Sequence, residues 1–231
     1  MKMSDSLWLD IWSKEKYEPI SSNYVSLGFG EDKEPEGSLL MATFANAMGN
    51  KFKEKMVLFD YGCGSARFCN FISKRLKDFS YYGVEKPGGE RLGEKAIEYA
   101  RMCFGYDKRI SLGLIGDEVE QEAVEKADVA LLLSIFTHTT IEEMNTIMDK
   151  LLPIISRGGS IVFSAFIRDK YWVGRSGGYG LPDCYSEVHF TKEQFKAMEK
   201  RLGIRIVQID TFITSTRYTH LIFNAHMQNS I

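Results

Sequence analysis

No apolar run in this sequence approaches the roughly 20 residues that a membrane span requires, and the start Met1-Lys2-Met3-Ser4-Asp5 lacks the apolar core of a signal peptide. A cytoplasmic chain with no membrane partner is the expectation. An excess of either charge is also lacking. The formal net charge of −2 and the pI near 6.1 supply no broad attraction for phosphate backbones, which argues against nucleic acid as a partner. Cysteine is sparse: Cys63, Cys69, Cys103 and Cys184 form no CxxC pair and have no histidine spacing suited to zinc. Reduced, mostly buried thiols and no metal centre are expected. Internal repeats, low-complexity tracts and an obvious interdomain linker are missing as well. What remains is 231 residues, 44% hydrophobic and 26% charged, enough for one substantial core and too few for two comfortable ones.

Within that chain the stretch Val57-Leu58-Phe59-Asp60-Tyr61-Gly62-Cys63-Gly64-Ser65-Ala66-Arg67 is an apolar run that stops at an acid and opens into closely spaced glycines. Gly62 and Gly64 let the backbone bend sharply and approach a ligand where a Cβ would clash, and the following segment presents a helix N-terminus to it. A nucleotide-like cofactor suits such a turn. Phe68, Phe71, Ile72 and Leu76 then recur at helical spacing, and Phe79 to Glu85 reads as a second strand, completing a βαβ unit. Leu92, Ala96, Ile97, Ala100 and Phe104 mark the next helix. Ile110, Leu112 and Leu114 alternate in a strand ending near Gly116-Asp117, and a short acidic helix follows.

Asp128 to Phe136 is apolar almost throughout, as a central parallel strand should be, with Ser134 near its end. A helical stripe of Ile141, Met144, Ile147, Met148, Leu151 and Leu152 leads to Pro153, which should end or kink that helix. Gly158-Gly159 turns the chain into a strand from Ser160 to Phe166. Thr191 and Gln194 form a capping box, with Phe190 and Phe195 as its hydrophobic staple and Gly203 as the stop. The last two strands, about Ile204 to Phe212 and Tyr218 to His226, are joined by about five residues, too few for a parallel crossover, so they should form an antiparallel hairpin. The expected fold is α/β, doubly wound, with a mostly parallel seven-stranded sheet and an antiparallel C-terminal hairpin strand.

This pattern resembles the class I S-adenosylmethionine-dependent methyltransferases over about residues 55 to 227, through Asp60-Tyr61-Gly62-Cys63-Gly64-Ser65-Ala66-Arg67, Gly83-Val84-Glu85, Gly116-Asp117 and Ser134-Ile135-Phe136-Thr137-His138. The resemblance implies S-adenosyl-L-methionine as cofactor, bound by Asp60, Gly62, Cys63, Gly64, Glu85, Asp117 and Ser134. Ala66 stands where the family usually has glycine. Glu85, 21 residues after Gly64, can accept both ribose hydroxyls from the end of the second strand; the competing reading is a solvated glutamate. Asp117 resembles the acid that contacts the adenine amino group, and it equally suits a helix N-cap. Asp60 resembles an acid near the methionine end of the cofactor, with a structural role in pinning the turn as the alternative. A nicotinamide enzyme would carry G-x-G-x-x-G, and counting from Gly62 and Gly64 puts Arg67 at the third glycine.

Methyl transfer to a hydroxyl or protonated amine also needs a proton acceptor, and His138, just beyond the fourth strand, is the candidate. Overlapping capping boxes in Thr139-Thr140-Ile141-Glu142-Glu143 offer the plainer reading of a helix start. His189 is a weaker candidate; His220 and His226 fall in the last strand and read as structural. Ile167 to Val188 is long for a connection, and its aromatics and glycines suggest a closing loop over the acceptor. Tyr171 and Trp172 offer stacking surfaces, and Arg168, Lys170 and Arg175 offer cationic donors, so the acceptor expected is small and bears a carboxylate or phosphate beside an apolar or ring-shaped body. The competing reading leaves these charges solvated and the aromatics packing the loop. Residues 1–54 read as a helical extension, a lid or an extra layer, preceding a cofactor-binding domain at 55–231. Leu7, Trp8, Ile11 and Trp12 mark one helix of it; Leu39, Leu40, Phe44, Ala47 and Met48 mark another. A homodimer through its apolar face is compatible with the sequence. A protein or RNA methyltransferase and a non-catalytic cofactor-binding subunit are the alternatives to a small-molecule enzyme.

Overall fold

The computed structural model describes residues 35–87, 92–175, 186–213 and 219–228. β1 (Met56–Tyr61), β2 (Phe79–Glu85), β3 (Ile110–Leu114), β4 (Val129–Leu132) and β5 (Ser160–Ile167) run parallel in the order β3-β2-β1-β4-β5. Their apolar runs suit strands covered on both faces. On one face α1 (Pro35–Met48), α2 (Arg67–Ser73) and α3 (Leu92–Phe104) bury Phe44, Phe68, Ile72 and Ile97 against Leu58, Tyr81, Leu131 and Val162. On the other, α4 (Glu118–Lys126), α5 (Ile141–Ser156) and α6 (Lys192–Leu202) bury Ala123, Met148 and Phe195 against Phe59, Ala130 and Phe163.

β8 (Ile204–Ile213) and β9 (Thr219–Met227) form the expected antiparallel hairpin, with a bulge between Gln208 and Asp210. β9 lies between β5 and β8 and is antiparallel to both. The main sheet is therefore β3-β2-β1-β4-β5-β9-β8 with β9 alone reversed. The caps behave as read: Thr191 and Gln194 close a capping box, the Phe190 and Phe195 rings stack at 5.8 Å, and Gly203 ends α6 in the left-handed conformation.

Three elements depart from the sequence reading. β4 stops at Leu132, because Ser134 takes a positive φ of 59° and its N–H donates to Ser164 Oγ at 3.0 Å instead of continuing the ladder. Pro153 does not end α5, which runs on to Ser156. Ile154 and Ile155 beyond it are fully buried, and burying two such side chains, at about 1.5–3 kcal/mol each, outweighs a proline penalty of about 3 kcal/mol. The segment read as a loop from Ile167 to Val188 contains two strands, β6 (Trp172–Arg175) and β7 (Ser186–Phe190). β7 continues the end of β5 in parallel through Phe166↔His189 and Ile167↔Phe190, and β6 pairs antiparallel with β7.

α1 realises the second apolar stripe of the extension, with Phe44, Ala47 and Met48 buried and Ala47 O accepting from Asn224 Nδ2 at 2.8 Å. Leu7, Trp8, Ile11 and Trp12 lie outside the described residues, as do Cys184 and positions 176–185. Among the described residues no helix is long and apolar enough to cross a membrane.

Candidate functional site

β1 delivers the chain into a turn in which every second residue is left-handed: Gly62 at φ +77°, Gly64 at +56° and Ala66 at +60°. Gly62 and Cys63 N–H groups both donate to Val84 O, at 2.8 and 3.0 Å, which ties the turn to the end of β2. Ala66 N–H closes the bend onto Cys63 O at 2.9 Å, and α2 starts at the next residue. A Cβ on Gly62 would lie 2.1 Å from Ile135 Cδ1, so the segment following β4 packs directly on this glycine. Cys63 is buried, and burial pushes its thiol well above the ordinary range, which makes it a packing group rather than a nucleophile.

Glu85 closes the turn from β2. Its Oε2 accepts from Gly64 N–H at 2.7 Å and its Oε1 from Lys86 N–H at 2.9 Å. Burial raises this carboxyl above its usual value, and the two backbone donors oppose the shift. Asp60, in register with Gly83, is 2% exposed. Its Oδ2 accepts from Tyr81 Oη at 2.6 Å, whereas Oδ1 is buried with no hydrogen-bond partner among the described residues. Burial is the main reason that Asp60 titrates at about 7; Glu85 raises it further, while Tyr81 and Arg67 pull it down. Tyr81 was not among the residues singled out in the sequence. The signal for it is the aromatic-x-glycine spacing of Tyr81 and Gly83: a Cβ on Gly83 would meet the Tyr81 ring at 2.7 Å, so the glycine makes room for the ring that reaches Asp60.

Asp117 caps α4. Oδ1 accepts from Val119 and Glu120 N–H, at 2.9 and 3.2 Å, and Oδ2 from Leu114 N–H at 2.8 Å. The N-cap reading of this acid is thus realised, and it fixes the bend at Ile115-Gly116 beyond β3. Ser134 sits in the turn after β4, held by Ser164 through its N–H and by Thr137, whose Oγ1 donates to Ser134 O at 2.7 Å. A strained non-glycine residue at the mouth of a sheet is a common feature of functional sites. His138 is exposed in the same turn, its N–H bonded to Ile135 O at 3.0 Å. Of the two overlapping capping boxes, Thr140 with Glu143 is the one formed.

The β6–β7 ribbon is fastened to that turn. Val188 N–H donates to Thr137 O at 3.0 Å, and Ile141 N–H donates to Tyr171 Oη at 3.3 Å. His138 is therefore flanked by ribbon contacts on both sides in sequence. Arg168 is exposed, with its guanidinium 5.4 Å from the Trp172 ring centroid. Trp172 keeps 39% of its surface exposed and Tyr171 37%, so both retain surface for a ligand. Arg175 ends β6 opposite Ser186. Of the four residues expected to meet the acceptor, Trp172 and Arg175 lie in β6, while Arg168 and Tyr171 lie in the link from β5 to it, where Lys170 is also exposed. Glu187 and Ser164 were not foreseen; neither residue stands in a recognisable motif.

No protein-family model matches the sequence, and no curated protein matches it. Solved structures do match. The magnesium protoporphyrin IX methyltransferase from Synechocystis PCC 6803 with bound SAH superposes with a TM-score of 0.61 at 13% identity, covering 97% of this chain and 94% of that one. The 1,6-didemethyltoxoflavin-N1-methyltransferase from Burkholderia thailandensis, with bound 1,6-didemethyltoxoflavin and S-adenosylhomocysteine, gives 0.58 at 12% identity, covering 99% and 92%. An amino pentose methyltransferase from Micromonospora echinaspora, SAM-bound, gives 0.52 at 15% identity, covering 81% and 90%.

Proposed function

We propose that this chain, whose fold is that of the class I S-adenosylmethionine-dependent methyltransferases, transfers a methyl group from S-adenosyl-L-methionine to a hydroxyl, carboxylate or amine of a small acceptor. The observation that carries the reading is Glu85, whose carboxylate is anchored on Gly64 N–H at the end of β2, together with Asp60 Oδ1 on β1, which has no partner among the described residues. Both groups fit the cofactor. A carboxylate at the end of the second strand suits a ribose diol, and a buried oxygen without a donor suits a cationic or N–H-bearing group.

When bound, the cofactor supplies a methyl carbon already activated by a sulfonium. The chain then has to place a nucleophile in line with the carbon–sulfur bond and keep water out, and positioning of this kind supplies much of the rate. Gly62, Gly64 and Ser134 would hold the cofactor, and Asp117, by fixing the bend after β3, would shape the site of its adenine. For a hydroxyl or protonated amine, His138 takes the proton that the nucleophile loses; a carboxylate needs no base. Trp172 and Arg175 on the ribbon, with Arg168 and Tyr171 just before it, recognise an anionic, ring-bearing acceptor. The neighbours are named for magnesium protoporphyrin IX, 1,6-didemethyltoxoflavin and an amino pentose, so the shared fold leaves acceptor choice to elements such as this ribbon. A cytoplasmic setting and a homodimer belong to the same reading.

Calorimetry with S-adenosylhomocysteine tests it. Binding is expected, and Glu85→Ala should weaken it by ~1.5–3 kcal/mol, roughly 10- to 100-fold. Incubation with isotope-labelled methyl donor and a metabolite extract then identifies the acceptor, and with it His138→Ala should lower turnover ~10²–10⁴-fold at unchanged cofactor affinity. Tighter binding of a nicotinamide dinucleotide than of S-adenosylhomocysteine would sink the assignment.

A further inference from the structure

Glu187 and His189 are ionisable residues of β7 with no part in the chemistry above, yet they are only 8% and 5% exposed. Alternation along the strand puts them on the face opposite Val188 and Phe190, which belong to the apolar core. On their own face Phe166 of β5, His189 of β7 and Trp172 of β6 stand side by side in register. The Phe166 ring stacks on the imidazole at 5.0 Å and 27°, and the indole meets it at 5.2 Å and 65°. The indole lies back along its own strand: a Cβ on Gly174 would sit 1.8 Å from Trp172 ring carbons. Gly174 is opposite Glu187, and the Glu187 carboxylate stands 3.4 Å from His189 Nε2.

We propose that His189, braced by Glu187, is a positioning residue of the acceptor site: its imidazole sets the attitude of the Trp172 indole, so that the indole and the Arg168 guanidinium, 5.4 Å from its centroid, together meet a planar, conjugated acceptor carrying an anionic group. The acceptor clause rests on the methyltransferase reading; the ladder of rings stands without it. Two charged groups face the imidazole, Arg168 from the end of β5 and Glu187 from β7 itself; Phe166 and Trp172 face it with uncharged rings. Burial and Arg168 both disfavour the imidazolium and Glu187 favours it, with a net shift below the ordinary histidine value. At neutral pH the ring therefore packs without charge. Protonation adds a second cation beside Arg168 and changes the contact with the indole.

The test begins with the free protein carrying Trp8→Phe and Trp12→Phe, which leaves Trp172 as its one indole. An imidazolium against an indole quenches its emission by accepting charge from the excited ring. Emission is expected to fall as the pH is lowered from about 8 to about 5, with a midpoint below about 6.5. His189→Phe, which keeps a ring in the ladder, should abolish that transition, and Glu187→Gln should move its midpoint down by up to about one unit. At neutral pH the probes are benzoate and cyclohexanecarboxylate, which share an anion and differ in flatness. Benzoate should be preferred by roughly 2- to 10-fold, the worth of an aromatic pair, in the parent and in His189→Phe, and the preference should vanish in His189→Ala. Emission indifferent to pH, a transition that survives in His189→Phe, or equal binding of the two carboxylates would overturn the proposal. Absence of S-adenosylhomocysteine binding would overturn the methyltransferase reading and leave the emission result standing.

Discussion

Asp60 holds a carboxyl group away from water with one oxygen satisfied by Tyr81 and the other by nothing in the described protein. Burial lifts its pKa from 3.8 to about 7, so between those values the folded protein holds a proton that the unfolded chain has released. The sign follows from linkage: the stability tied to this proton is complete below pH 3.8 and is lost as the pH rises through about 7. Asp60→Asn keeps the shape and cannot titrate. Thermal melts of both proteins across that window should therefore show the wild type losing ground to the variant as the pH rises, by up to roughly 4 kcal/mol. Parallel curves would mean that Asp60 stays ionised throughout. Ala66, two residues beyond Gly64, shows a different balance. Its left-handed backbone costs a non-glycine residue about 1–2 kcal/mol, which Ala66→Gly would relieve. The glycine would lose a buried methyl worth about 0.8 kcal/mol and add roughly 0.5–1 kcal/mol of chain entropy. The terms nearly cancel, so denaturant unfolding of Ala66→Gly should lie within about 1 kcal/mol of wild type, unlike removal of a buried methyl from an unstrained position.

At the level of elements, an aromatic residue followed two places later by glycine on one strand occurs at both ends of the site. Tyr81 lies over Gly83 and reaches Asp60; Trp172 lies over Gly174 and meets His189. In each case the missing Cβ gives the ring its bed. This local signal is present in the sequence, but alternation of apolar and polar residues does not display it, which is why the Tyr81 bond to Asp60 and the strand pairing of the ribbon escaped the sequence reading. β6 is only four residues long, contains a glycine and leaves its apolar residues partly exposed, so it carries no period-2 pattern. Elements with strong local chemistry were legible to within a residue or two: β2 from its apolar run, α6 from Thr191, Gln194 and Gly203, and the β8–β9 pairing from the shortness of its connection. Because Thr191 Oγ1 accepts from Gln194 N–H at the start of α6, Thr191→Ala should cost about 1 kcal/mol in chemical denaturation. It should leave cofactor affinity unchanged, since α6 lies under the ribbon and away from the glycine turn.

Across the whole molecule, parallel strands all end at one edge, and that edge gathers residues far apart in sequence. Gly62 lies under Ile135, Ser134 is tied to Ser164, and Thr137 is tied to Val188. Asp60, Ser164, Phe166 and His189 share one face of the sheet by register. The glycine turn and its tie to Glu85 could be read from one short motif because a glycine turn and an acid on the next strand are local features. The sequence marked Arg168, Tyr171, Trp172 and Arg175 as a loop but not their pairing into a ribbon, since that depends on β7 adding to β5 across a long connection. A ligand that occupies the gathered edge should stabilise the fold as one unit, because it binds the native arrangement and has no counterpart in the unfolded chain. At about 100 times its dissociation constant S-adenosylhomocysteine should add about 2.7 kcal/mol, which for a chain of this size is a rise of ~5–10 °C in Tm. Scanning calorimetry reads it directly. Glu85→Ala should show a smaller rise at the same ligand concentration, and NAD at that concentration should show none. A rise with NAD and none with S-adenosylhomocysteine would assign the glycine turn to a different nucleotide.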